Sequence, residues 1–355
     1  MSYFDKFPEK ATPGIPNVEM NAPVFSGRVP KGDVGIELEI EATNYMPEAK
    51  DILVRDEKTG GYWVNKADGS LRGGMEYVAS TPFSIESVPM MVAGLYEAIS
   101  KHKTKLKLSN RCSTHVHLNI SDWKVDKITS LIVLWTLFEV PLINWCGVNR
   151  KTNHFCLSTV DSDDLVVNWD GFLKDGRSLF HEGSKYTALN LLPLFTQGSA
   201  EVRVGREPWG PADVLPWVQF LWALRNYAFS IENPGMIPAI VSEGGPGAIF
   251  DEICSGASLQ SFRDEVFART SDFNSASYLA FRESQKLCYH PWDDWLPMIQ
   301  REHYKNPFGK KAAIKIPRIP DQPPPQPAPR IRLGGAVGAI NNDLARFIDD
   351  IERRN

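Results

Sequence analysis

The sequence is poor in the features that define several specialised classes of protein. Its five cysteines are scattered and none is spaced as Cys-x-x-Cys, which argues against a zinc site or a disulfide framework and favours a reducing cytoplasm. Its paired glycines match neither a P-loop nor a dinucleotide fingerprint. A net charge of −4 gives no reason to expect nucleic acid as a partner. We therefore expect a cytoplasmic protein whose chemistry is carried by other residues.

Long hydrophobic runs are also scarce. The stretch from Ile128 to Trp145 is rich in Leu, Ile, Val and Trp, but Glu139, Pro141 and Asn144 interrupt it. A membrane span needs about 20 predominantly apolar residues. The stretch is therefore predicted to be a buried core helix, and no membrane is expected as a partner.

What the sequence does have is ionisable residues placed two apart in short strand-like segments. The segments are Gly35 to Glu41, Thr114 to Asn119 and Ala200 to Val204. In a strand, residues i and i+2 point to the same face, about 6.5–7 Å apart. This spacing predicts three pairs that each share a face: Glu37 with Glu39, His115 with His117, and Glu201 with Arg203. We expect one sheet with an apolar face and a face that carries chemistry.

The residue types on that face indicate the kind of ligand. Clustered carboxylates with one or two histidines suit hard divalent cations such as Mg²⁺ or Mn²⁺. An arginine in the same cluster would repel a metal, so we expect it to face an anion that the metal also holds, such as phosphate. Metal ions and arginine around a polyphosphate are the arrangement of phosphoryl-transfer chemistry.

Two further segments support this interpretation. Glu76 follows a turn at Ala67 to Leu71 and lies in a short β-prone run that ends at Pro82. The segment Lys185 to Asn190 precedes Glu201 by some ten residues.

Taken in order, these segments resemble the phage and bacterial amidoligase family. The resemblance extends from about Gly35 to Gly210 and includes Arg150, with Asn153 to Cys156 after the long apolar helix. That family is similar to the carboxylate–amine ligases, among them glutamine synthetase and glutamate–cysteine ligase. We therefore expect an α+β fold in which an antiparallel sheet has helices on one face, with a glutamine-synthetase-like catalytic arrangement.

The resemblance implies a ligase that uses ATP and Mg²⁺ (or Mn²⁺) to activate a carboxylate as an acyl phosphate, which an amine then attacks. It assigns metal binding to Glu37, Glu39, Glu76, His115 and Glu201, nucleotide binding to His117, Arg203, Lys185 and Asn190, and catalysis to Arg203, Lys185 and Glu76. Lys185 stands where related sequences often have arginine. The carboxylate and amine substrates stay open: a small molecule, a peptide or a protein side chain. A phage origin would place the protein in the host cytoplasm.

The remaining organisation follows from periodicity and composition. Helices are expected at Ser84 to His102, Asp126 to Cys146, Val214 to Ile231 and through most of Asn233 to Pro307. The segment from Asp161 to Gly183 is expected to be a loop that closes over a substrate. A hairpin is expected to pair Tyr186 to Leu194 with Ser199 to Gly205. The expected domains are a Pro-rich extended arm at 1–31, a catalytic domain at 32–312, a Pro-rich linker at 313–333 and an amphipathic C-terminal helix at 334–355.

Two other functions remain open at this point. A structural or virion-associated protein could retain the ligase fold without catalysis, and the Pro-rich arm and the C-terminal helix favour it. That helix would dock onto a protein partner or a second copy. A metal-dependent hydrolase could use His115 and His117, although carboxylates outnumber imidazoles among the candidate residues.

Overall fold

The alternating segments pair into one six-stranded antiparallel sheet. The strands are β1 (Val34–Glu41), β2 (Trp63–Lys66), β3 (Gly74–Ala79), β4 (Thr114–Asn119), β5 (Leu189–Asn190) and β6 (Ser199–Gly205), in the order β2-β3-β1-β4-β6-β5. The computed structural model describes residues 23–151, 153–175, 182–290 and Trp292. The central strand β1 buries Ile36, Leu38 and Ile40 completely, which confirms the predicted apolar face.

Helices cover that apolar face and make the fold a mixed α/β one. They are α1 (Val88–Lys101), α2 (Val125–Cys146), α3 (Val148–Lys151), α4 (Asp164–Asp175), α5 (Leu192–Gln197), α6 (Pro211–Ser230), α7 (Ile237–Ile253), α8 (Gln260–Ala268) and α9 (Phe273–Ser284). The α6 helix packs on β4, and α2 packs on β6. The indole of Trp63 on β2 donates a hydrogen bond to the carbonyl of Met91 on α1. Because the helices pack on the apolar face, the opposite, polar face of the sheet is left for the candidate site.

The long apolar helix α2 lies in the core. By length and composition alone it could cross a membrane, but 89% of its most apolar 18-residue stretch is buried inside the protein. It packs against α6, α8 and α9. The prediction of a buried core helix is confirmed.

The predicted loop at Asp161 to Gly183 is wrong over most of its described length, because α4 occupies Asp164–Asp175. Leu165, Trp169 and Phe172 are buried, and they recur every three or four residues, as one helix face requires. The Trp169 indole donates to Thr129 Oγ1 at 2.9 Å, which ties α4 to α2. A polar average composition concealed this apolar stripe.

The predicted hairpin is only partly correct. β5 and β6 pair antiparallel, but β5 has two residues, and α5 rather than a turn leads into β6. Pro193 explains the change: it cannot donate a ladder hydrogen bond, and it fits the first turn of a helix. Gly198 then ends α5 with a φ of 72°, a left-handed conformation that favours glycine.

The other predicted helices are confirmed within the described residues. A 3₁₀ turn (Ile85–Ser87) and α1 form the helix predicted at Ser84 to His102. The helix predicted at Val214 to Ile231 is α6, which begins at Pro211 and ends at Ser230. Helices α7 to α9 fill most of the described part of Asn233 to Pro307. Residues 1–22 of the arm, the linker at 313–333 and the C-terminal helix at 334–355 lie outside the described residues. At the described end of the arm, the Val24 amide donates to the Trp123 carbonyl, so this end packs on the domain.

Candidate metal centre

Strand register sets which side chains share the polar face. Glu37 lies opposite His115 across β1 and β4, and Glu39 lies opposite Glu76 across β1 and β3. His117 lies opposite Glu201 across β4 and β6. Directly opposed residues of an antiparallel pair project to the same face, with their Cβ atoms about 5 Å apart. The five residues predicted to bind metal therefore lie on one face, together with His117.

Three of these residues bring their ligand atoms close together. One ligand atom each from Glu37, His115 and Glu201 lies within 4.8 Å of the others. His115 Nδ1 is 3.4 Å from Glu37 Oε2 and 3.7 Å from Glu201 Oε1. The His115 and Glu201 side chains are about 5% exposed, and that of Glu37 is 19% exposed. The geometry is that of a nearly buried cluster of two carboxylates and one imidazole.

His117 extends this cluster toward the start of β1. Its Nδ1 lies 3.2 Å from Ser199 Oγ. Its buried Nε2 has no hydrogen-bond partner, although Glu37 Oε1 is 3.4 Å away and Glu201 Oε1 is 3.9 Å away. A buried polar atom without a partner costs free energy, and this one is aimed at two carboxylates, as a metal ligand would be. Gly35 permits the approach, because a Cβ there would lie 3.2 Å from the His117 Cβ.

Glu39 and Glu76 flank the cluster on the other side. Ser113 Oγ donates to Glu39 Oε2 and lies 2.8 Å from His115 Nε2. Glu76 Oε2 lies 3.0 Å from Lys66 Nζ. Burial, followed by the charge of Glu37, raises the pKa of Glu76 to about 7.

The remaining electrostatics hold Glu37 and Glu201 ionised. Burial would raise both pKa values. A hydrogen bond from His115 and the nearby charge of His117 instead hold the pKa of Glu37 well below its usual value. The charge of Arg203, followed by those of the histidines, lowers the pKa of Glu201. Against its own burial, His117 has a raised pKa because Glu37 lies close to its ring and Glu201 adds a second negative charge. Such a concentration of anions suits a divalent cation.

The residues predicted to contact phosphate meet at Glu201, with one exception. Arg203 Nη1 donates to Glu201 Oε1 at 2.5 Å, and Asn190 Nδ2 donates to Glu201 Oε2 at 2.6 Å. Lys185 lies in a 3₁₀ turn, where its Nζ is 5.0 Å from the centroid of the Tyr186 ring. That ring packs against Phe155, whose carbonyl accepts a hydrogen bond from Arg203 Nε. Lys185 therefore contacts an aromatic pair that adjoins Arg203.

Three polar residues at the site were missed by the sequence reasoning. Ser113 and Ser199 each stand two residues before a predicted ligand, His115 and Glu201, so the same two-residue spacing would have found them. Lys66 carries no such signal, because its position opposite Glu76 depends on the β2–β3 register.

A cavity opens beside Glu37 and His117. Its volume is about 170 Å³, and Pro30, Ser80 and Gln197 also line it. These last three residues also line a neighbouring cavity of about 700 Å³, which Arg28 and Lys31 border. The two cavities therefore adjoin each other, and the basic residues Arg28 and Lys31 border the one farther from His117.

Residues 77–167 match the model of a protein family described as "Putative amidoligase enzyme". The matched segment includes His115, His117 and Arg150. Arg150 is buried and donates to the carbonyl of Cys112, just before β4. No curated protein matches the chain. The family match supports an amidoligase family and an enzyme of the ligase class.

Proposed function

We propose that this protein is an ATP- and Mg²⁺-dependent carboxylate–amine ligase that forms an amide or isopeptide bond through an acyl phosphate. The observation that carries the proposal is the cluster of Glu37, His115 and Glu201, with Arg203 bonded to it, on the polar face of the sheet. The amidoligase family match supports ligase chemistry. We include in the proposal a glutamine-synthetase-like fold, cytoplasmic location, and a carboxylate and an amine as substrates.

The donor set fits a hard divalent cation. Carboxylate oxygens and imidazole nitrogens are ligands for Mg²⁺ and Mn²⁺, and His117 Nε2 is a buried nitrogen without a hydrogen-bond partner. Glu37, His115 and Glu201 would hold the ion, with His117 beside it. An ion bound there would offset the negative charge of the transferring phosphates.

Arg203 is suited to the phosphoryl group or to the substrate carboxylate. One of its Nη atoms is bonded to Glu201 and its Nε points to the Phe155 carbonyl, so its guanidinium plane is fixed before substrate arrives. The side chain is 21% exposed, which leaves it accessible from the polar face. A fixed, planar guanidinium can bind phosphate or carboxylate through two parallel hydrogen bonds.

The two ends of the cluster suit two different reactants. The cavity beside His117 adjoins the one that Arg28 and Lys31 border, so we assign ATP to that end. Glu39 and Glu76 then face the carboxylate and the amine. A carboxyl with a pKa of about 7 is suited to proton transfer near neutral pH.

The reaction balances in two displacements. A substrate carboxylate oxygen attacks the γ-phosphorus, the bond to ADP breaks, and an acyl phosphate forms. The amine nitrogen then attacks the acyl carbon, inorganic phosphate leaves, and the amine's proton passes to Glu76. Arg203 stabilises the transferring phosphoryl group in the first step.

A thermal-shift experiment on the full chain tests the proposal. ATP with Mg²⁺ should raise the melting temperature more than either alone, because a ligand that binds only the folded state stabilises it. Glu201→Ala should remove this response, and Glu97→Ala, an exposed change on α1, should keep it. A structural protein would not respond to ATP, and a hydrolase would respond fully to metal alone; either result contradicts the proposal.

Catalysis itself is tested by trapping the acyl phosphate. With a panel of carboxylates, ATP, Mg²⁺ and hydroxylamine as the amine, the enzyme should release ADP and form a hydroxamate. ADP release without hydroxamate across the panel would point to an ATPase rather than a ligase.

A further inference from the structure

Lys66 brings a fixed positive charge to the edge of the cluster. We propose that the Lys66 ammonium takes the place of a second divalent cation, so that the site holds a single metal ion at Glu37, His115 and Glu201. The inference rests on the metal site of the proposed function. It adds that the neighbouring carboxylates have partners within the chain, since Glu76 pairs with Lys66 and Glu39 accepts a hydrogen bond from Ser113.

Strand register places Lys66 in line with those carboxylates. Lys66 lies opposite Glu76 across β2 and β3, and Glu76 lies opposite Glu39 across β3 and β1. Opposed residues in antiparallel strands share a face. Lys66, Glu76 and Glu39 therefore form one row across three strands, with the cation at the outer end. The row lies next to the one formed by Glu37 and His115.

The contact within this row is direct. Lys66 Nζ is 3.0 Å from Glu76 Oε2, and the two side chains are 46% and 12% exposed. Lys66 lies on the edge strand β2, and its long side chain extends from there so that the ammonium group contacts the buried carboxylate of Glu76. Lys66 can therefore remain paired with Glu76 while much of its own side chain stays in contact with solvent.

The ligand atoms are distributed unevenly between the two halves of the site. Among the described residues, Glu37, His115 and Glu201 form the one group with three candidate ligand atoms within 4.8 Å. In the other half, Glu39 Oε2 accepts a hydrogen bond from Ser113, and Glu76 Oε2 is paired with Lys66. A divalent cation between Glu39 and Glu76 would lie next to the ammonium that already pairs with Glu76. Like charges at that distance repel, so the second ion is disfavoured.

Metal stoichiometry tests this directly, without any need for activity. The full chain is dialysed against Mn²⁺ at up to roughly millimolar concentration, the weak end of protein cation sites, and bound metal is measured per chain. The wild type should bind one ion. Lys66→Gln and Lys66→Met remove the charge and should each bind two, whereas Lys66→Arg keeps the charge and should bind one. Lys58→Gln is the matched control, since Lys58 forms an exposed ion pair with Glu86 away from the site.

Each result decides something. Two ions in the wild type, or one ion in folded Lys66→Gln and Lys66→Met, would overturn the role of Lys66 and leave the metal site intact. No bound Mn²⁺ in any variant would instead overturn the metal site of the proposed function. Circular dichroism establishes folding, and the wild-type stoichiometry can overturn the inference without any variant.

Discussion

At the scale of single residues, Glu201 is held by partners from three directions. Arg203 donates to one of its oxygens, Asn190 donates to the other, and His115 Nδ1 lies 3.7 Å away. Such bonds fix the orientation of a metal-binding carboxylate before the ion arrives, and they tune its affinity. Loss of Glu201 would therefore remove a candidate metal ligand and also take this ion-pair partner from Arg203.

Removing a carboxylate from the cluster should abolish turnover and preserve the fold. Glu37→Ala and Glu201→Ala should each reduce ATP turnover to background, because each deletes one of the three converging ligands. The apo variants should stay folded but melt below the wild-type temperature, since each change leaves a buried charged partner unpaired. Coupled ADP release and circular dichroism measure the two effects. Glu97→Ala serves as the control; normal turnover in Glu201→Ala would exclude Glu201 from the site.

Arg203→Lys should reduce turnover by at least ~10-fold, equivalent to about 1.4 kcal/mol of transition-state stabilisation. Lysine keeps the charge but loses the planar fork that binds phosphate through two hydrogen bonds. Arg263→Lys is the matched control, because Arg263 also pairs with acids, Asp251 and Asp264, on the surface. Near-normal kcat in Arg203→Lys would make Arg203 a structural partner of Glu201.

The site could be predicted from sequence as far as spacing within a strand allows. The two-residue period brought Glu37, Glu39, His115 and His117 to one face, and the structure agrees. Distances between residues on different strands could not be predicted, because they depend on how the strands are aligned in the sheet. This is why Lys66 was missed and why the position of Lys185 beside the Tyr186 ring could not be foreseen.

At the scale of elements, α2 supports the site from behind the sheet. Glu139, in the middle of this helix, is fully buried, with Trp135 Nε1 donating to one oxygen and the Thr159 amide to the other. Burial raises its pKa to about 7, against the opposing effect of the Thr159 hydrogen bond. Thr159 belongs to the same connection as Phe155, whose carbonyl meets Arg203. A single acid thus anchors the segment that borders Arg203.

The raised pKa of Glu139 makes stability depend on pH. The folded state binds this proton more tightly than the unfolded state, so the contribution is fully present below about pH 4.5 and is lost as pH rises through about 7. Glu139→Gln cannot ionise. Its free energy of unfolding relative to wild type should therefore increase by about 2–3 kcal/mol between pH 5 and pH 8. Urea unfolding at both pH values measures this, with the exposed change Glu97→Gln as control. A difference independent of pH would show that Glu139 is already ionised at pH 5.

Elements were predicted well where periodicity was strong and poorly where composition misled. The strands β1 and β4 and the helices α1, α2 and α6 follow long apolar patterns. The α4 helix was mistaken for a loop because its apolar stripe of Leu165, Trp169 and Phe172 is narrow and polar residues surround it. In α5 the local effect of Pro193 outweighed the expectation of a hairpin.

At the scale of the whole molecule, the site unites residues that are far apart in the chain. Glu37 and Glu201 meet because β4 lies between β1 and β6 in the sheet. The segment that matches the amidoligase family, 77–167, contains His115 but neither of those glutamates. A change in strand order would therefore separate the ligands while leaving every motif intact, so a test of function must use the folded catalytic unit.

The chain after about Pro317 should be dispensable for catalysis and required for association. Seven prolines fall between Pro317 and Pro329, a composition that favours a stiff spacer over a packed core. Beyond it, five residues follow the spacing of one helix face: Ile340, Leu344, Phe347, Ile348 and Ile351. A helix so short is marginal alone, so its apolar face needs a surface to cover it: the chain's own domain, a second copy or another protein.

Truncation at Asp321 tests this expectation. The shortened protein should keep ATP turnover within about 2-fold of wild type, a change below 0.5 kcal/mol, because every residue of the candidate site precedes the cut. It should also lose an oligomer or a complex that the full chain forms, as judged by size-exclusion chromatography with light scattering. Leu344→Asp in the full chain is the matched variant: it disrupts the same apolar face without shortening the protein and should give the same loss. An inactive or unfolded truncation would show that the segment belongs to the catalytic unit, where its apolar face completes the core.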